Sequence, residues 1–159
     1  HAPMGTDGCG IPVYGMPLQA MATALARMAD PAGPGGLPPE RQAAVKRIIG
    51  AMTAHPRFVA GPGRFDTVAM EAGADTFAVK GGAEGMYSGI LPGLGLGIAL
   101  KIDDGAKRAS EVAMAAILDY LGVLDGEAKV ALAGFLETPV LNEKGERVGE
   151  IRMAPDWAG

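Results

Sequence analysis

A single cysteine, Cys9, rules out a disulfide within the chain and suits a reducing compartment. Histidine is nearly as scarce: His1 and His55 lie far apart, and with no internal CxxC the chain has no complete metal-ligand spacing of its own. No apolar run approaches the ~20 residues of a membrane span, and no basic stretch leads into an apolar leader core. These absences exclude a membrane-embedded class and point to the cytoplasm. Charge of one sign is also missing as a block. Fourteen Lys and Arg face eighteen Asp and Glu, a formal charge of −4, so neither a nucleic-acid footprint nor a membrane-surface patch is present and the expected partner is a small molecule.

What remains is ordinary globular material: 159 residues, 48% apolar and 20% charged, enough for one domain with a real core. The chain opens with "HAPMGTDGCG", extended and glycine-rich and without an initiating methionine. This reads as an excerpt, whose upstream segment would complete any shared site.

Apolar periodicity organises the first half as helices. Pro17 suits a first helical turn, and Leu18, Met21, Leu25 and Met28 follow at helical spacing to Asp30-Pro31. After the loop "DPAGPGGLPP", Pro38-Pro39-Glu40 starts a second helix with Val45, Ile48, Ile49 and Met52 on one face, closed by His55-Pro56. Asp66 or Thr67 can cap a short helix ending at Ala72, with Gly73 as its stop.

The period then changes. Thr76 to Val79, Met86 to Leu91 and Gly95 to Ile102 read as consecutive antiparallel strands. Ala106 to Leu121 is the strongest helix, with a stripe of Val112, Ala113, Ala116, Ile117, Tyr120 and Leu121. A shorter helix over 126–136 leads to a terminal hairpin around Asn142-Glu143-Lys144-Gly145, with Val148 and Ile151 as its apolar residues. Separate blocks of helix and antiparallel sheet make the fold class α+β.

Three stretches can carry chemistry. In "VKGGAEG", Lys80 stands at a strand tip before Gly81 and Gly82, which lets an anionic or carbonyl substrate lie against the backbone beside the ammonium. Glu84 can pair with Lys80 and hold it; the plainer alternative is a solvated lysine before an ordinary turn. In "GTDGCG", Cys9 sits between glycines with Asp7 two residues earlier, a thiolate that can ligate zinc or attack a carbonyl, or else a small buried hydrophobe. In "GRFDT", Arg64, Asp66 and Thr67 can form a polar cap or an ion pair. His55 serves as a helix end. The glycines of "GLGLG" do not spell GxGxxG and precede a strand, so no phosphate loop is read there; something packs closely on that strand instead.

Taken in order, "DGCGIPVYGMPLQAMA", "HPRFVAGPGRFDT", "KGGAEGMYSG" and "GLGIALKIDDGAKRASEVA" closely resemble the C-terminal half of the asparaginase II family, the rhizobial-type L-asparaginases, over about Asp7 to Leu124. The resemblance implies a fold like serine β-lactamases and penicillin-binding proteins, of which residues 1–159 are the C-terminal portion of a single domain. It implies hydrolysis of the side-chain amide of L-asparagine to aspartate and ammonia, a homodimer, and a zinc held by two cysteines and a lysine beside a Ser-x-x-Lys pair and a second serine–lysine tandem. Carried over by motif, Lys80 resembles the lysine of that second tandem, Cys9 a zinc ligand, and Asp7 the carboxylate bonded to the zinc-bound water.

The chemistry is consistent with this. A serine hydroxyl needs a base, and a lysine serves as one only where burial or another cation lowers its pKa, a condition two lysines in one pocket supply. Gly81 and Gly82 would leave room for the amide. The sequence departs from the family in two respects. Its only serines, Ser88 and Ser110, are followed at i+3 by Leu91 and Ala113, so Ser-x-x-Lys is absent, and there is no second cysteine. Residues 1–159 alone are therefore expected to be inactive, the missing groups coming from an N-terminal part. Alternatives are a glutaminase or β-lactam-interacting protein of the same fold, and a non-catalytic remnant acting as a binding module.

Overall fold

Pro17, with extended backbone, sits just outside the first helix as its N-cap, and α1 runs Leu18–Ala29. The computed structural model describes residues 2–157, so His1 lies outside the described residues. Ahead of α1 the glycine-rich opening is more regular than its composition suggests. It folds into a hairpin of β1 (Met4–Thr6) and β2 (Pro12–Tyr14), in register Met4 to Tyr14. Every residue from 2 to 20 is exposed.

Helix α2 (Pro39–Ala54) has Pro39 in its first turn, where the missing N–H costs nothing, and Glu40 against the helix dipole. Val45 and Ile49 are buried and Met52 is half-buried, but Ile48 is exposed; Thr53 takes the inward place instead, its hydroxyl donating to the Gly50 carbonyl at 3.3 Å. His55 ends α2 as expected, yet Pro56 at once begins a further short helix, α3 (Pro56–Ala60). A proline that stops one helix is equally suited to the first turn of the next.

Helix α4 (Phe65–Ala72) begins before the residues expected to cap it. Arg64 occupies the N-cap position without a side-chain cap bond, because Asp66 and Thr67 are buried and engaged elsewhere. Gly73 ends α4 with ordinary right-handed backbone; its missing Cβ makes way for the Phe77 ring, 2.6 Å from where that atom would stand. The left-handed turn falls to Ala74 and Asp75, so the strand starts later than Thr76.

The central sheet is antiparallel with order β3 (Ala78–Gly81), β4 (Met86–Leu91), β5 (Leu96–Lys101), a 3₁₀ turn over Pro92–Leu94 joining the last two. Ala78 pairs with Ile90, Lys80 with Ser88 and Ile90 with Gly97. Directly opposed residues share a face, so Lys80 and Ser88 stand on the same side as Gly97, while Val79, Tyr87 and Ile98 face the other way. α1 lies against Gly97. A Cβ there would come within 2.3 Å of the Ala22 carbonyl oxygen and of the Ala26 nitrogen, so the helix backbone rests on the strand itself. That is the close packing expected of "GLGLG".

On the opposite side, Phe65, Met70, Phe77, Val79, Leu91, Met114, Leu118 and Leu132 are fully buried, and each large apolar side chain contributes about 1.5–3 kcal/mol on leaving water. Helix α5 (Lys107–Tyr120) buries Val112, Met114, Ala115, Ala116 and Leu118, a wider face than the stripe read from its sequence. Tyr120 turns out to solvent, edge-to-face with Trp157 at 5.4 Å. The expected helix over 126–136 is broken at the buried Leu132 into α6 (Gly126–Ala131) and α7 (Ala133–Leu136), and the chain ends in the expected hairpin of β6 (Thr138–Leu141) and β7 (Arg147–Ile151). Val148 on that hairpin is exposed. The architecture is α+β, with small antiparallel sheets and packed helices.

Replacing Gly97 by valine forces α1 off β5. The variant is expected to lose about 1–3 kcal/mol of stability in urea titrations; an unchanged midpoint would contradict the packing described.

Candidate active site

Lys80 is the next-to-last residue of β3, and after Gly81 the chain turns back through Gly82, Ala83, Glu84 and Gly85 into β4. Glu84 and Gly85 are both left-handed, with φ of 57° and 67°. For a residue with a side chain this conformation is unfavourable, so something must hold it. The Gly85 carbonyl accepts from the Ile102 N–H at 3.1 Å, and the Glu84 carboxylate lies over Gly105, where a Cβ would sit 2.8 Å from Oε2. Docked there, Glu84 does not pair with Lys80. The Lys80 ammonium instead donates to the Gly81 carbonyl and forms no ion pair among the described residues.

The glycines have a structural reason of their own. A Cβ on Gly81 would stand 3.0 Å from the Tyr87 ring, and one on Gly82 would stand 3.1 Å from the Met86 Cβ. The space beside Gly81 is thus filled by tyrosine and is not kept open for a ligand.

The buried acid here is Asp66, only 4% exposed. Its Oδ2 accepts from the Gly81 N–H at 3.1 Å, and its Oδ1 accepts from the Tyr87 hydroxyl. Burial, and then the hydrogen bond to Asp66, push the Tyr87 phenol far above its usual range, so it remains a neutral donor. Thr67, next along α4, donates to the Gly61 carbonyl at 2.6 Å and lies 3.2 Å from that of Pro56, fixing the loop that carries Arg64. One turn of α4 therefore holds both the strand tip and the loop opposite it.

Between them lies a cavity of about 390 Å³, lined among others by Arg64, Asp66, Lys80, Glu84, Tyr87 and Lys107. Arg64 and Lys80 are exposed at its surface, while Lys107 is held at 2.8 Å by Glu111. Three cations to two acids suit an anionic or strongly polar small molecule. Of the residues singled out from sequence, Arg64, Asp66, Lys80, Gly81, Gly82 and Glu84 meet here.

Asp7 and Cys9 do not. They occupy the turn of the β1–β2 hairpin, where Asp7 Oδ1 accepts from the N–H groups of Cys9 at 2.8 Å and Ile11 at 3.0 Å. Cys9 is exposed, which removes the buried-hydrophobe alternative. Among the described residues no group of three or more His, Cys, Asp or Glu side chains gathers to hold a metal. The residues present thus fall short of a zinc site: one thiol, with a carboxylate already serving a turn. His55 lines a separate cavity of about 430 Å³ near the Arg57–Glu71 ion pair.

Sequence reasoning missed the Asp66–Tyr87 pair. A signal existed: Tyr87 alternates with Gly89 on the buried face of β4, and a buried phenol needs a partner.

A family model described as L-asparaginase II matches residues 1–153. No curated protein matches the chain. Among the described residues no helix is long and apolar enough to cross a membrane.

Because folding raises the pKa of Tyr87, its contribution to stability is complete below the unfolded value of about 10 and declines as pH rises beyond it. The stability advantage of wild type over Tyr87→Phe, measured by urea unfolding, is expected to shrink above about pH 10. An advantage that is flat from neutral to strongly alkaline pH would contradict the buried phenol–carboxylate bond.

Proposed function

Because this chain belongs to the L-asparaginase II family, we propose that it supplies the lysine side of a serine–lysine amidohydrolase site acting on the side-chain amide of L-asparagine. The products are L-aspartate and ammonia. The observation that carries the reading is Lys80 at an anchored strand tip, opening on a polar cavity of about 390 Å³.

Amide hydrolysis through a serine needs the hydroxyl proton removed as the carbonyl is attacked, and a proton delivered to the leaving ammonia. Lys80 Nζ moves a proton in this scheme. Arg64 offers a guanidinium to the substrate's carboxylate from across the cavity. Neither serine in residues 1–159 is the nucleophile: Ser110 is buried and donates to the Lys107 carbonyl at 2.9 Å, and Ser88 donates to the Lys80 carbonyl at 3.1 Å. In this reading the nucleophilic serine and its lysine come from a part of the protein outside residues 1–159, within a serine β-lactamase-like fold. The same proposal gives Cys9 one ligand position on a zinc whose other ligands lie outside the chain, and no chemical step is assigned to that metal.

Ammonia release from asparagine by the full-length gene product tests this. Lys80→Ala is expected to lower kcat by about 10²- to 10⁴-fold with little change in KM, the range for loss of a positioned proton-transfer group. Ser88→Ala should retain activity, because its hydroxyl serves the sheet. Wild-type turnover by Lys80→Ala would sink the role given to the lysine, and failure of the intact protein to hydrolyse asparagine would sink the substrate.

A further inference from the structure

Lys80 lies on an edge strand, since β3 pairs with β4 on one side and has no strand on the other among the described residues. In an antiparallel ladder alternate residues point their N–H groups at the partner and away from it. The Gly82 N–H donates to the Met86 carbonyl at 2.8 Å, so the neighbouring Gly81 N–H points outward, off the sheet. An outward N–H at a strand end has no ladder bond to hold it, and such ends fray. Here that N–H is taken by Asp66 at 3.1 Å, and the second carboxylate oxygen takes the Tyr87 hydroxyl from the adjacent strand. The acid comes from the first turn of α4, whose Phe65 packs edge-to-face on the same Tyr87 ring at 5.5 Å.

We propose that Asp66 is the positioning residue for Lys80: by gripping the Gly81 N–H and the Tyr87 hydroxyl together, it sets where the strand tip holds the lysine in the cavity. The inference rests on the amidohydrolase reading for its catalytic consequence, but its structural half stands separately. The geometry suits the task. Asp66 reaches the residue immediately after Lys80, through the backbone, and so controls the lysine's Cα without occupying the space its ammonium needs. A buried acid that served packing alone would satisfy its oxygens from any nearby donors. This one takes the outward donor that immediately follows the candidate catalytic group.

The test uses the full-length protein with Asp66→Ala, Asp66→Asn and Tyr87→Phe, assayed well below each variant's unfolding temperature. Asp66→Ala is expected to lower kcat about 10- to 100-fold with KM nearly unchanged, the cost of a misplaced reacting group. Asp66→Asn, which can still accept from Gly81, should recover much of the loss. Tyr87→Phe, which keeps the Gly81 bond, should lose less than Asp66→Ala. Amide hydrogen exchange read in the same samples should show Gly81 protected in wild type and released in Asp66→Ala, with the core amides of α5 unchanged. Lowered thermal stability with undiminished kcat in the folded protein would overturn the proposal and leave the amidohydrolase reading intact. If the wild-type protein does not hydrolyse asparagine, the functional reading fails, and Gly81 exchange decides the positioning claim by itself. Equal protection in wild type and Asp66→Ala overturns it. Should Asp66→Ala fail to fold, Asp66→Asn and Tyr87→Phe carry the same comparison.

Discussion

The arrangement around Lys80 depends on one buried carboxylate. Asp66 is buried, and an acid in that setting is tolerable only while its oxygens are hydrogen-bonded. Its two donors come from different strands, Gly81 on β3 and Tyr87 on β4. Removing either would leave a buried polar group unsatisfied, at about 1–3 kcal/mol. α4 and the two strands are thereby fixed as a unit. Phe65 and Thr67 extend the hold, one through its stack with Tyr87 and with Phe135 at 5.1 Å, the other through its bond to the Gly61 carbonyl. Within "GRFDT", Phe65, Asp66 and Thr67 are thus the opening turn of α4, in which consecutive side chains anchor core, strand tip and loop.

The opposite face of the sheet is held by a different device. At Gly97 the strand has no side chain, and α1 approaches until backbone meets backbone. The sheet cannot slide under α1 without a clash, and Lys80, on that same face, inherits the restriction through Ser88 and β4. By contrast the β1–β2 hairpin that carries Asp7 and Cys9 is exposed throughout. Half of the candidate site is therefore built into the core, and the other half stands apart from it. That contrast fits a protein whose site is assembled from more than one region, as the L-asparaginase II reading proposes.

Much of this was readable in the sequence where periodicity rules. The span Met86–Leu91 matches its strand, and α1, α2 and α5 lie within a residue or two of their apolar stripes. Legibility failed where a residue's partner lies far along the chain. Asp66 looks like a helix cap because caps are local, whereas its real donors are 15 and 21 residues away. Gly81 looks like room for a ligand until Tyr87 is seen to fill it, and Glu84 looks like a partner for Lys80 until its left-handed backbone carries it to Gly105. Lys80, Gly81, Gly82 and Glu84 could be grouped because they are neighbours in sequence; the buried acid that organises them could not.

The central claim is that the ammonium of Lys80 is a working group in amide hydrolysis. Chemical rescue addresses it most directly, with aspartate formation from asparagine followed in full-length Lys80→Ala as methylamine is added. The account predicts negligible aspartate without amine and a rate that climbs with amine concentration, as the free amine takes the place of the missing side chain. Aspartate formed at the wild-type rate in the absence of amine would contradict it.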